Sequence, residues 1–137
     1  MLIETAQRLT HHGALAMLQA AAAKAEEIGQ PQCIVIVDTS GVSLAELRMT
    51  GAKYLSLKSA RAKARTAASI GAPSDMIPEH VRPAIAAATA GDVTGLGGGL
   101  PIFCGDALLG GIGIGSGSPE QDKAVAEAAL AALADGG

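Results

Sequence analysis

Aromatic side chains are almost absent from this chain, which has one tyrosine, one phenylalanine and no tryptophan among its 137 residues. Basic residues are not in excess either, because the formal net charge is −3. Nucleic-acid-binding proteins rely on basic patches and on aromatic surfaces that stack bases, so the composition excludes nucleic acid as the partner. The hydrophobic fraction of 49% must come from aliphatic residues. It predicts one domain whose core is finely packed around alanine-rich helices.

Long apolar segments are also missing. No run approaches the roughly 18 residues that a membrane span requires, and the N-terminus lacks the basic-then-apolar order of a signal peptide. We therefore expect a cytoplasmic protein with no membrane partner, and a secreted form whose signal has been removed stays an alternative. Cys33 and Cys104 are the only cysteines, and each lies in an apolar, strand-like run where a buried thiol is expected. A disulfide between them stays open if the two strands are neighbours.

The stretch near the C-terminus gives the clearest prediction of secondary structure. Two apolar runs, 100–104 and 107–114, are separated by Gly105 and Asp106, which is the spacing of a tight hairpin. A glycine-serine loop follows, and then a closing helix for which Ser118 is the predicted cap and Pro119 the first residue. Gln121 stands where a side chain can reach back to the cap.

The preceding residues predict the rest of an α+β fold. Residues 1–9 are interpreted as a variable lead-in. Thr10 precedes a predicted helix that runs to about residue 28 and buries Leu15, Leu18, Ala22 and Ala25. Strands are predicted around 33–41 and 42–49, helices at 53–70 and 83–90, and a loop at 91–99. Because hairpins alternate with helices, the sheet is predicted to be mostly antiparallel.

The helix at 53–70 and the loop after it carry candidate binding residues. At about 100° per residue, Leu57, Ala60, Ala64 and Ala68 form the inward face, and Ser59, Lys63 and Thr66 form a compact polar flank. The loop at 91–99 contains five glycines in nine residues. It must bend sharply or approach a ligand or another strand closely, which makes Gly97, Gly98 and Gly99 binding candidates.

Three segments of the chain resemble a known family. They are KARTAASIGAPS, GGGLPI and LLGGIGIGSGSPEQDKAVAEAAL. They resemble the GlcG/HbpS-like family of haem-binding, also called haem-degrading, domains, whose pattern has KA-TA on a middle helix, GG-P-I at a strand entry and G-IGVSGG---QD--A near the end. The opening helix and the IVDTSG turn also fit the family. The resemblance covers residues 10–133, nearly the whole chain.

The resemblance implies a profilin-like fold, an antiparallel sheet flanked by helices, as a single domain over residues 10–137. It also implies homo-oligomers. Relatives include haem-binding proteins, domains appended to corrinoid adenosyltransferases, and proteins of small-molecule catabolism, among them lyases acting on hydroxylamino-aromatic acids. Family membership does not by itself assign an activity. The chain departs from the pattern at Ile114 and Gly115, where the family often has Val and Ser, so Ser116 or Ser118 would replace that serine if it contacts a ligand.

The alternate glycines Gly111, Gly113, Gly115 and Gly117 resemble a dinucleotide-binding fingerprint. That fingerprint requires a second parallel strand after its helix and an acidic residue about 20 positions on. Here the chain ends with the helix, so NAD and FAD are not expected. The glycines instead predict close packing of a helix or strand, within the chain or across a subunit interface. Backbone amides at the start of the closing helix remain able to hold a small anion such as a carboxylate.

No metal site is predicted, because the three histidines and the cysteines lack metal-ligand spacing. Haem is a possible cofactor, and His11 or His12 is the first candidate for its axial ligand. Both also fit an ordinary exposed position at a helix start. Tyr54 and Phe103, the only aromatic residues, leave little aromatic lining for a porphyrin.

Catalysis without a cofactor is the alternative function. No nucleophile elbow of the hydrolase type is present, which leaves acid-base or electrostatic chemistry by Lys63, Asp122, Arg48 and Tyr54, with Glu46 a further candidate. Lys63 would bind an acid or act as a base if desolvation lowered its pKa. Asp122 also fits a purely structural role at the N-terminus of the closing helix.

Three hypotheses follow: a domain that binds a small carboxylate or a tetrapyrrole, a cofactor-free lyase or isomerase for a small carboxylate, and an oligomeric accessory protein without a ligand. For the first two, the predicted pocket lies between the Lys63 flank, the glycine loop and residues 116–122, in one chain or between subunits. The remaining ligand-binding candidates are Ser59, Thr66, Ser116, Ser118 and Gln121.

Overall fold

A computed structural model describes residues 1–136 of the chain. Four helices and four strands follow one another, with two short 3-10 turns at Ser74–Met76 and Glu79–Val81. The helices are α1 (His11–Glu27), α2 (Tyr54–Ile70), α3 (Arg82–Ala88) and α4 (Pro119–Gly136). The strands are β1 (Cys33–Asp38), β2 (Ser43–Arg48), β3 (Gly99–Cys104) and β4 (Ala107–Gly115). Among residues 1–136, no helix is long and apolar enough to cross a membrane.

The strands form one antiparallel sheet in the order β2-β1-β4-β3. Both predicted hairpins are present, and their first and last strands, β1 and β4, pair along the centre of the sheet. The predicted α+β fold with an antiparallel sheet and flanking helices is therefore confirmed.

Helix caps follow the sequence closely. The Thr10 hydroxyl accepts a hydrogen bond from Gly13 N at 3.2 Å at the start of α1. At the start of α4, Ser118 Oγ accepts from Gln121 N at 3.2 Å, and Gln121 Oε1 accepts from Ser118 N at 2.8 Å. This reciprocal pair satisfies two amides that the first helical turn would otherwise leave free.

Each face of the sheet packs against different helices. α1 and α4 cover one face over a core that includes Met17, Ile34, Ile112 and Val125. α2 covers the other face, where Val35 and Val37 meet its alanines. The predicted inward face of α2 is confirmed, with Ala60, Ala64 and Ala68 buried and Leu57 partly buried.

The alternate glycines of β4 bring α2 directly onto the sheet. A Cβ atom on Gly113 would overlap the Ala60 carbonyl oxygen, and one on Gly111 would overlap the Ala64 carbonyl oxygen. The space for any side chain is thus filled by the helix backbone itself. The glycines serve helix-to-strand packing inside the chain, which was one of the two predicted roles.

Two expectations about burial were wrong. Of the predicted inward residues of α1, Ala25 is buried and Leu18 and Ala22 are partly buried, but Leu15 is 49% exposed. The other buried residues of α1 are Ala14, Met17 and Ala21. The inward face is rotated because α4 packs closely against the small residues of α1. Cys33 is buried but Cys104 is exposed, and both thiols are free because β4 separates their strands.

Candidate functional site

A buried ion pair joins the two helical layers. Lys63 of α2 places its Nζ 3.2 Å from Asp122 Oδ2 of α4 and donates a 2.7 Å hydrogen bond to the Ile114 carbonyl at the end of β4. The two residues are only 6% and 3% exposed. Because α2 and α4 lie on opposite faces of the sheet, this pair ties the layers together where β4 ends.

The Asp122 carboxyl is unusual for an acid in an ion pair. Burial raises its pKa, and this effect exceeds the opposing effects of the Lys63 ammonium and the Gly117 amide, which donates to Oδ1 at 3.1 Å. The side chain of Gln32 lies nearby and also lowers the pKa. Gln32 is completely buried, yet its amide nitrogen and oxygen make no hydrogen bond of good geometry among residues 1–136. A buried carboxyl with a raised pKa beside a cleft is a candidate for proton chemistry.

The predicted glycine loop lies directly over this pair. Gly98 has a φ of +112°, and a Cβ atom there would stand 3.2 Å from Lys63 Nζ and 3.1 Å from the Asp122 Cβ. Gly97, Gly98 and Gly99 form one side of a cleft of about 280 Å³. The rest of its lining includes Asp75, Pro119, Glu120 and Lys123. The structure thus brings Lys63, Asp122 and the glycine loop together, with one glycine residue between the pair and the cleft.

Ser74 fixes the glycine loop and was missed in the sequence. Its completely buried hydroxyl donates to the Leu96 carbonyl at 2.6 Å and accepts from Gly99 N at 2.9 Å. A serine in a polar turn carries no local signal for this role. Thr66 also fixes the loop at 91–99. Its buried hydroxyl donates to the Ala62 carbonyl at 2.8 Å and accepts from Thr94 N of the loop at 3.0 Å.

Three other candidates meet in a basin of about 600 Å³ at the start of α2. Arg48, Tyr54 and Ser59 line it together with Lys53 and Leu55. Tyr54 is 75% exposed. Two cationic side chains and a phenol give this basin the chemistry to hold an acid, but none of them contacts Lys63 or Asp122 through a hydrogen bond in the described part of the chain.

Ser116 lies at the edge of the same basin. Its hydroxyl accepts a hydrogen bond from Lys53 N at 3.1 Å, and its φ is +87°, a left-handed value that is uncommon for serine. The Cys33 thiol lies beneath and donates to the Lys53 carbonyl at 3.5 Å. Burial raises the pKa of this thiol, which outweighs the lowering by Ser116 and Arg48. Burial and a raised pKa are typical of a cysteine that packs as a small apolar side chain.

His11 and His12 lie at the exposed start of α1 and line neither the glycine-loop cleft nor the basin at the start of α2. Their ring centroids are 4.0 Å apart with a tilt of 36°. Leu15 projects from the same side of the helix one turn later, because positions 11, 12 and 15 fall within a sector of about 100°. Within residues 1–136, no group of three histidine, cysteine or acidic side chains could hold a metal ion.

Comparison with known proteins shows that the chain is similar to a known family. Residues 9–131 match the model of the haem-degrading HbpS-like proteins. The corrinoid adenosyltransferase PduO of Citrobacter freundii is 35% identical over an alignment of 135 residues, and the match covers 95% of this chain and 40% of that protein. The chain thus spans about two fifths of the length of this relative.

Solved structures share the fold. The PduOC:heme complex is 30% identical, with a TM-score of 0.84 over 92% of this chain and 95% of that one. A double mutant of HbpS from Streptomyces reticuli is 31% identical, with a TM-score of 0.84 over 96% of this chain and 90% of that one.

Proposed function

Because this chain belongs to the family of haem-degrading HbpS-like proteins, we propose that its small-ligand-binding domain takes haem or a related tetrapyrrole. The observation that supports this proposal is the solvent-facing surface at the start of α1. His11 and His12 are both exposed on this surface, and Leu15 beside them is half exposed. The likeness to the PduOC:heme complex supports the same ligand class.

The donor set of this face fits a haem group. An imidazole nitrogen is a common axial ligand of haem iron, so His11 or His12 would hold the iron. Leu15 would contact the apolar macrocycle, and the half-buried Leu18 and Ala22 continue the apolar surface along α1. When bound, the haem would supply a redox-active iron. The chain itself supplies the ligand nitrogen and an apolar surface that excludes water from one side of the ring.

Titration with haemin tests the proposal. We expect a Soret band that saturates at a fixed ratio of haem to chain and is lost in the His11→Ala/His12→Ala double variant. Leu15→Ser should weaken binding about tenfold, because burying a leucine side chain contributes roughly 1.5–3 kcal/mol. His80→Ala is the matched control, since His80 is an exposed histidine on a 3-10 turn far along the chain. An unchanged band in the double variant would refute the assignment.

A second candidate function is a cofactor-free lyase or isomerase in small-molecule catabolism, acting on a small carboxylate or a hydroxylamino-aromatic acid. It is favoured by the raised pKa of Asp122 next to Lys63, directly behind the Gly98 wall of the cleft. Turnover of such acids, followed by mass spectrometry, should then be abolished by Lys63→Ala and retained by Lys58→Ala, an exposed lysine of the same helix. Circular dichroism must show both variants folded. Turnover that persists in folded Lys63→Ala protein would exclude this mechanism.

A further inference from the structure

We propose that residues 1–3 of one copy of this chain dock into an apolar groove of a second copy, and the reverse. The groove, about 600 Å³ in volume, lies between the approach to α1, strand β3 and the last turns of α4. Its apolar lining comprises Leu9, Pro101, Phe103, Leu109, Leu130 and Leu133. It is separate from the histidine face of α1, because Thr10 and Gly13 turn toward the groove whereas His11 and His12 do not line it.

The proposed occupant is an apolar segment with nothing to cover it. Met1, Leu2 and Ile3 are 104%, 103% and 87% exposed, and residues 4–8 are exposed as well. Single exposed apolar residues are common, but three large ones in succession form a patch that marks an interaction site. The groove is the complementary surface, since Phe103 within it is itself 44% exposed.

Residues 1–3 can reach the groove of a second copy more readily than the groove of their own chain. Leu9 is buried at the groove, and the chain leads away from it through Thr5, Ala6, Gln7 and Arg8. Folding back onto the same groove would need a reverse turn, and these four residues include none of the glycine, proline, asparagine or aspartate that such turns favour. Six extended residues span at most about 20 Å, which is enough for exchange between two copies related by a two-fold axis.

Charge and backbone complementarity support the same occupant. Glu4 follows the apolar segment, and Arg8 lies at the groove, so docking places an acid near a base in both halves of the pair. β3 is an edge strand of the sheet, and an extended segment beside it finds backbone groups that no strand occupies.

Cross-linking to the native Cys104 tests the proposal directly. Cys104 is exposed and lines the groove, whereas the other cysteine, Cys33, is completely buried. Under mild oxidation, the Ile3→Cys variant should form a covalent dimer on non-reducing gels. Ile3→Cys/Cys104→Ser protein mixed with the natural chain should form a covalent heterodimer, which requires a bond between position 3 of one copy and Cys104 of the other.

Controls separate the alternatives. Val42→Cys, at an exposed apolar position on the turn between β1 and β2, should give no bond that depends on Cys104. By sedimentation, Leu2→Asp/Ile3→Asp should raise the dissociation constant of the dimer at least tenfold, whereas Val42→Asp should leave it unchanged. A disulfide within one chain, or the absence of any Cys104-dependent cross-link, would overturn the proposal.

Discussion

Replacing Lys63 by methionine should destabilise the fold strongly at neutral pH. Methionine keeps the length and apolar stem of the lysine but removes the ammonium that lies 3.2 Å from Asp122 Oδ2 and 2.7 Å from the Ile114 carbonyl. The variant leaves a carboxylate that is 3% exposed without its cation. Breaking a buried pair in this way costs about 3–5 kcal/mol, which includes the unpaired carbonyl.

The cost should depend on pH because of Asp122. Its pKa is already raised by burial, and the loss of Lys63 removes the largest opposing effect. The unfolded carboxyl ionises near pH 4, before the folded one does, so stability falls as the pH rises from about 4 through the folded pKa. The deficit of Lys63→Met relative to the natural chain should therefore be larger at pH 7 than near pH 4, where the cost of the unpaired Ile114 carbonyl remains.

Urea denaturation followed by circular dichroism at both pH values measures this deficit. The Lys63→Met/Asp122→Leu double variant is the matched control, because apolar replacement of both partners removes the buried charge. We expect it to be about 2 kcal/mol more stable than Lys63→Met at pH 7. A deficit below about 1 kcal/mol at pH 7, or one that is equal at both pH values, would refute the reasoning.

Two further predictions concern packing and a surface ion pair. Gly113→Ala should lower the free energy of unfolding by about 1–3 kcal/mol or more, because the new methyl group displaces α2 at Ala60 and Ala64; a variant as stable as the natural chain in urea would contradict this packing. Glu46→Gln should cost about 0.5–1 kcal/mol at pH 7, since Glu46 accepts several hydrogen bonds from Arg61. That pairing lowers the pKa of Glu46, so its contribution is present above about pH 4.5 and is lost as the pH falls; a cost that persists at pH 3 would argue against the ion pair.

The elements of the fold could be predicted because their signals are local. The Gly105 hairpin and the cap at Ser118 each depend on a few neighbouring residues. The pairing of β1 with β4 had no such signal, since it joins residues that are far apart in the sequence, from Cys33 with Gly115 to Asp38 with Gly110. The glycines of β4 were correctly associated with close packing, but only the structure identified α2 as the element that packs on them.

The candidate site was predicted in part. The sequence already predicted a pocket between the Lys63 flank, the glycine loop and residues 116–122, whereas the buried ion pair of Lys63 with Asp122 behind Gly98 follows only from the structure. Ser74 and Gln32 were missed because a buried polar side chain in a turn or before a strand looks the same in sequence as an exposed one.

The sequence by itself determined the order of helices and strands, their turns and the family, because each of these depends on the spacing of residues that are close together in the chain. Tertiary structure decided which side of each element faces inward. It turned Leu15 outward beside His11 and His12, exposed Cys104 on an edge strand, and enclosed Lys63 with Asp122. The physical reason is that burial depends on which distant surface covers a residue, and small side chains on α1 and β4 let neighbouring helices approach from directions that periodicity alone does not specify.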